Sequence, residues 1–209
     1  MPRPRSIVLA AALLAACHRG AAPRDAGRDA PCHCRPDAAM APGAPLPDTS
    51  LFLLDAPWTD QAGRAFQLAS LRGAPTVVLM FYGTCQSVCP VLIGDLLHIE
   101  AALSPAARTR VRFALITFDP ATDTPERLRA LAAERRLDPA RWSLLRGSDD
   151  DVRAVATVLG VQFSRVDPTT ITHSNTITVL DPQGVVVQQL EGLRQPVDGV
   201  ARRLEALAR

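Results

Sequence analysis

Residues 76–82, Thr-Val-Val-Leu-Met-Phe-Tyr, form an unbroken apolar run that stops at Gly83-Thr84-Cys85 and gives way almost at once to helical spacing. A run of that length without a polar interruption predicts a strand covered on both faces. Val88, Leu92, Leu96, Ile99 and Leu103 then recur at helical intervals. Pro90 suits the first turn of that helix, where its missing N–H costs nothing. The chain thus passes from a fully buried strand into a helix, with Cys85 and Cys89 at the junction, as an α/β domain requires.

The rest of the chain from residue 51 repeats the alternation. Residues 51–54, a turn at 59–63 and the approach to Phe66 and Leu68 predict a short opening hairpin. A second buried strand over 111–118 is followed by Thr124-Pro125-Glu126, a cap, a first-turn proline and an acid at the positive end of a helix. Residues 142–145 read as a third strand. Ser148 and the acids after it cap a helix whose buried stripe is Val152, Val155, Ala156 and Leu159, with Gly160 as its stop. Residues 176–180 and 185–190 flank the turn Asp181-Pro182-Gln183-Gly184 and pair as a hairpin, and 196–208 closes as a helix. A β-α-β unit, a helix, an antiparallel hairpin and a last helix together predict an α/β fold of the thioredoxin-like kind. A mixed central sheet is flanked by helices and extended by an N-terminal hairpin.

Ahead of this domain the sequence changes character. Arg3 and Arg5 precede an apolar stretch too short to span a bilayer, ending in Leu14-Ala15-Ala16-Cys17. Small residues before a cysteine in that position resemble the bacterial lipobox. Residues 1–16 are therefore expected to be a lipoprotein signal peptide, with Cys17 lipidated and anchoring the protein on the periplasmic side of a bacterial membrane. Residues 17–47 are dominated by Ala, Pro, Gly, Arg and Asp and read as a tether; residues 48–209 form the domain. All 23 basic residues are arginine and the net charge is only +2. Acids and bases are interspersed, which removes the electrostatic footprint of a nucleic-acid binder. The absence of lysine removes Schiff-base and P-loop chemistry.

Chemistry concentrates at Cys85-Gln86-Ser87-Val88-Cys89-Pro90. Unpaired backbone N–H groups at a helix start favour a thiolate, and cysteines four apart fall on one helix face. Such a pair can close as a disulfide or share a metal ion, and spacing alone does not choose. His173 follows a loop that a thioredoxin-like fold brings up to the cysteines, at a place where reductants of that fold carry a cis-proline. Here Thr172 precedes the histidine and Pro168 lies five positions earlier. Two thiolates and one imidazole suit soft Cu(I) and also hold Cu(II). Within the tether, Cys32-His33-Cys34 offers a second set of donors, readable as a transit site for copper, a local disulfide or drifted sequence. His98, in mid-helix, is expected to face solvent.

Three separated segments carry a family resemblance: Phe81-Tyr82-Gly83-Thr84-Cys85-Gln86-Ser87-Val88-Cys89-Pro90, then Asp119-Pro120-Ala121-Thr122-Asp123-Thr124-Pro125-Glu126, then His173-Ser174 before Leu180-Asp181-Pro182-Gln183-Gly184. Over residues 50–209 the sequence resembles the Sco/SenC family of copper proteins that assist assembly of cytochrome c oxidase. The resemblance implies a metallochaperone that holds one copper ion through Cys85, Cys89 and His173. Its partner would be oxidase subunit II or another extracytoplasmic copper protein. It also implies that Asp119 and Asp123 shape the neighbouring loop, whereas the residues alone favour turn formation and helix capping. Many members carry an acid between the cysteines and a transmembrane anchor, where this chain has Gln86-Ser87 and the lipobox. The alternative from a different class is an extracytoplasmic thiol–disulfide oxidoreductase working through Cys85 and Cys89.

Overall fold

A computed structural model of the chain describes residues 45–167 and 170–209. The expected signal peptide, Cys17 and the Cys32-His33-Cys34 motif lie outside the described residues. A seven-stranded sheet runs in the order β2-β1-β5-β4-β3-β8-β9. At its centre, β3 (Thr76–Phe81), β4 (Arg112–Thr117) and β5 (Trp142–Arg146) are parallel. β8 (Thr176–Leu180) pairs antiparallel with β3, and β9 (Val186–Glu191) with β8. All six residues of β3 and all five of β8 are buried, as their apolar runs require.

The helices appear where caps and spacing place them. α1 (Val88–Ala102) carries Pro90 in its first turn and buries Cys89, Leu92, Ile93, Leu96 and Ile99. α2 (Pro105–Arg110) was not anticipated from the sequence, although Ser104-Pro105 is a start signal; the Ser104 hydroxyl accepts from the Ala107 N–H. Thr124 caps α3 (Pro125–Glu134), and Ser148 and Asp151 form a reciprocal capping box on α4 (Asp149–Leu159). Gly160 ends α4 in the left-handed region at φ 66°. α5 (Asp198–Leu207) packs against α1.

Two expectations need correction. The opening hairpin does not use residues 51–54, which form a 3-10 turn (Leu51–Leu53) with Leu51 and Phe52 buried. Its strands are β1 (Trp58–Asp60) and β2 (Ala65–Phe66), and Leu68 lies in a second 3-10 turn. Asp60 sets that register: its Oδ1 accepts from the N–H groups of Ala62 and Arg64 at 2.8 and 2.9 Å. Furthermore, the segment before His173 is no simple loop. β6 (Phe163–Arg165) and β7 (Ile171–His173) form a two-stranded ribbon separate from the main sheet, with Phe163 opposite His173.

The core is continuous from the first 3-10 turn to α5, and Leu46 packs on its edge. Leu115 sits in the middle, fully buried between Leu79 of β3 and Leu144 of β5. Leu115→Ala is expected to destabilise the domain by about 3 kcal/mol through lost burial and an uncollapsed cavity. A lowered urea midpoint at unchanged slope is the measurement that checks it.

Candidate metal centre

Cys85 and Cys89 stand where β3 gives way to α1, and both are free thiols. Cys89 is buried against the core, whereas Cys85 is only half-buried. The Cys89 N–H donates to Cys85 Sγ at 3.4 Å, so the first turn of α1 wraps the Cys85 sulfur. This separates the two thiols chemically. Partial burial works against ionisation of Cys85, but N–H groups of Cys89, Ser87 and Val88 outweigh it and bring its pKa down to about 7. Desolvation dominates at Cys89, and with the neighbouring Cys85 and Asp123 charges it leaves that thiol pushed up to about 12.

His173 arrives from the ribbon. Its Nδ1 lies 3.0 Å from the Ser174 carbonyl oxygen, so Nδ1 carries the proton and the Nε2 lone pair points away from that bond. Nε2 is 3.8 Å from Cys89 Sγ. The ring is held by Phe118 (centroids 5.0 Å) and edge-on by Tyr82 (5.9 Å), and Phe118 in turn packs on Phe163 (4.7 Å). Tyr82 follows β3 and Phe118 follows β4, so two strand ends aim the imidazole at the cysteines. Neither aromatic was given a role from the sequence; each is the last residue of a predicted strand, 76–82 or 111–118, and lies one residue past the observed one.

The separation tests whether an ion fits. Thiolate and imidazole bonds of about 2.3 and 2.0 Å, as found for zinc, meeting at about 120° put sulfur and nitrogen roughly 3.8 Å apart. Cys89 and His173 already have that span. Among the described residues no three His, Cys, Asp or Glu side chains form a ready-made ligand set. Cys85, half-exposed beside this pair, is the second thiol that could serve a soft metal ion there.

Asp119 and Asp123 are both buried. Asp123 Oδ2 accepts from the Gly83 N–H at 2.9 Å and from the Thr117 hydroxyl, whose oxygen accepts from the Asp119 N–H at 2.9 Å. Asp119 Oδ1 takes Arg165 of the ribbon at 2.8 Å. Helix capping, which the residues alone suggested for these aspartates, falls to Thr124. Asp123 instead fixes the chain two residues before Cys85, and Asp119 ties the His173 ribbon to the β4 end. His98 is exposed, as its helical position predicts. A cleft of about 430 Å³ lined by Tyr82, Cys85, Gln86, Cys89, Pro90 and Glu134 opens beside the thiols.

A dithiol at a strand–helix junction of a mixed sheet, faced by a histidine from a separate two-stranded ribbon, defines the site of a thioredoxin-like domain. Residues 54–209 match the SCO1/SenC family, and the chain belongs to it. Among solved structures it is similar to ScoI of Bradyrhizobium japonicum with copper bound. The two are 26% identical over 73% of this chain and 96% of that one, with a TM-score of 0.62. It is also similar to a SCO1/SenC family lipoprotein of Bacillus anthracis (24% identical, 73% and 92% covered, TM-score 0.67). A third is BsSco, a member of the Sco family of cytochrome c oxidase assembly proteins in which a disulfide switch has been identified (21% identical, 74% and 95% covered, TM-score 0.64).

Two predictions follow from the local geometry. A Cβ at Gly83 would land on Asp123 Oδ1. Gly83→Ala is therefore expected to break the Gly83–Asp123 bond, cost about 1–3 kcal/mol and displace the cysteine loop, read by thermal melting and by altered Cys85 alkylation. In reduced, metal-free protein, alkylation of Cys85 should rise with pH with a midpoint near 7, while Cys89 stays slow to pH 9 and beyond. The stability signs are opposite. Between 7 and the ordinary thiol value of 9, the folded chain holds fewer protons at Cys85 than the unfolded chain, so stability rises with pH; from 9 towards 12, Cys89 holds more, so stability falls. A Cys85 midpoint at 9 contradicts the arrangement.

Proposed function

We propose that this chain is an exported, membrane-tethered copper carrier that holds one copper ion through Cys85, Cys89 and His173 and delivers it during assembly of a cytochrome c oxidase copper centre, with subunit II as acceptor. The observation that carries the reading is the 3.8 Å approach of His173 Nε2 to Cys89 Sγ beside a second free thiol. Copper is cargo here, and a two-sulfur, one-nitrogen donor set is matched to it in softness. The Bradyrhizobium relative with copper bound and the oxidase-assembly role of BsSco agree with the assignment.

The residues divide the work. Cys85, half-exposed and the easier of the two to ionise, makes the first contact with incoming metal or with a donor protein. Cys89 binds only as its proton leaves, so loading releases protons and strengthens as pH rises. His173, its Nδ1 held on the Ser174 carbonyl, turns Nε2 toward Cys89 and closes the site. Among the described residues no helix is long and apolar enough to cross a membrane. The anchor is assigned to Cys17, in agreement with the lipoprotein character of the Bacillus anthracis relative.

The divided thiols also favour a second reading, thiol–disulfide exchange. In that reaction the Cys85 thiolate attacks a partner disulfide, releasing one partner thiolate and forming a mixed disulfide, and Cys89, losing its proton, then attacks Cys85 Sγ and releases the second partner thiolate, so the partner is reduced to a dithiol as the Cys85–Cys89 disulfide forms. Anaerobic titration separates the two. The reduced domain should take up one copper, and the Cu(II) form should show a thiolate charge-transfer band. His173→Ala is expected to weaken binding at least tenfold and shift that band, whereas exchange activity would survive the substitution. Unchanged affinity and spectrum would remove His173 from the ligand set. For the anchor, Cys17→Ser should abolish acylation and release the protein from membranes, read by fractionation and mass spectrometry of the mature N-terminus.

A further inference from the structure

The ribbon that carries His173 stands on a narrow stem. Residues 160–162 lead into it from α4, and residues 174–175 lead out of it into β8. The two links are clamped to each other, the Ser174 N–H donating to the Gln162 carbonyl at 2.8 Å and the Gln162 N–H to the Ser174 hydroxyl oxygen at 3.1 Å. These bonds keep the ribbon intact without fixing its tilt against the main sheet, with which it shares no ladder. Its tilt therefore comes from what its inner face touches.

Register decides what that face holds. β6 and β7 pair Phe163 with His173 and Arg165 with Ile171, so these four side chains share one face, while Ser164 and Thr172 share the other, exposed one. Phe163 packs on Phe118, Ile171 is buried, and the His173 ring meets Phe118 and Tyr82. Apolar burial holds the face down without specifying a direction. The Arg165–Asp119 pair does specify one: Nη2 meets Oδ1 at 2.8 Å, with Asp119 buried and the planar guanidinium reaching it from the end of β6.

Asp119 belongs to a longer polar chain at the β4 end. Its N–H donates to the Thr117 hydroxyl oxygen, that hydroxyl donates to Asp123 Oδ2, and the same carboxylate oxygen accepts from the Gly83 N–H, two residues before Cys85. The ribbon and the cysteine loop are thus joined through Arg165, Asp119, Thr117, Asp123 and Gly83. We propose that Arg165 is a positioning residue for His173: through Asp119 it sets the angle at which the ribbon presents the imidazole, and through that polar chain it references the angle to the loop carrying Cys85. The consequence for copper rests on the carrier reading above; the positioning rests on the ribbon geometry alone. With the pair broken, apolar burial keeps the ribbon attached while Nε2 leaves its 3.8 Å approach to Cys89 Sγ for part of the time, and the metal is then held by sulfur without nitrogen.

The test uses the whole chain with Cys17, Cys32 and Cys34 replaced by serine, which leaves Cys85 and Cys89 as its only cysteines. In the reduced, metal-free protein the Phe118 and Tyr82 rings displace the NMR signals of the His173 ring C–H groups. R165Q should move those signals toward the position of exposed His98, and R165K should keep most of the displacement. In copper titrations R165Q should weaken binding about fivefold to tenfold and shift the thiolate charge-transfer band toward that of His173→Ala, with R165K recovering about half of the loss. Added to His173→Ala, R165Q should change affinity by less than about twofold, because its effect passes through the imidazole. R153Q removes an arginine that lines the same cleft as Arg165 but pairs with Asp150, and it should match the parent. If R165Q fails to fold, D119N breaks the same pair from the other side and replaces it. Unmoved His173 signals, R165K behaving like R165Q, an undiminished loss in the His173→Ala background, or an equal loss in R153Q would overturn the proposal. If His173→Ala itself leaves copper binding unchanged, the ligand assignment falls, and the ring signals still decide the positioning role.

Discussion

The bond from the Gly83 N–H to Asp123 joins the two strand ends on which the site is built. β3 and β4 are neighbours in the sheet, but pairing stops at Phe81 and Thr117. Beyond that point the ladder no longer holds the cysteine loop, which closes its own turn through the Cys85 N–H to the Tyr82 carbonyl and takes its position from the β4 side through a side chain. Asp123 supplies the anchor with a buried carboxylate, and its Oδ1 has no hydrogen-bond partner among the described residues, an expense that is tolerable only because Gly83 and Thr117 satisfy the other oxygen. Burial pushes the Asp123 carboxyl up from its ordinary value while Thr117 and Gly83 oppose that. A Cβ at position 83 has no room, so the anchor and the glycine require each other.

From that anchor the two thiols acquire different characters without different neighbours in sequence. Cys85 sits outside the first turn of α1 and collects its N–H groups; Cys89 points into the core beneath His173. One sulfur is ready to meet a partner and the other is kept from reacting until something draws it out. The same asymmetry fits both proposed chemistries, metal uptake and disulfide exchange.

Most of the scaffold was legible in the sequence because its signals are local. The apolar run into Cys85, the Thr124-Pro125 start, the Ser148 box with Gly160, and the Asp181–Gly184 turn each state their own structure. The 51–54 segment misled because Leu51 and Phe52 are buried by the Gly184 turn, a long-range contact that no alternation encodes. The ribbon escaped for a similar reason: three-residue strands with one buried residue between them, Ile171, carry no period. At the site, residue type and position pointed to Cys85, Cys89 and His173, and the fold brings these three side chains together. The Gly83–Asp123 bond and the aromatic packing around His173 were not legible, since each joins residues about forty or more positions apart.

Because β6 and β7 share no ladder with the main sheet, the imidazole belongs to a module distinct from the dithiol. Changes in the ribbon can move or delete the imidazole while the seven strands and the cysteine loop keep their geometry. The architecture is therefore evolvable in one particular direction. Under the copper-carrier reading proposed above, a lineage would trade metal retention for sulfur exchange by editing a short appendage, with no need to redesign the fold that presents it.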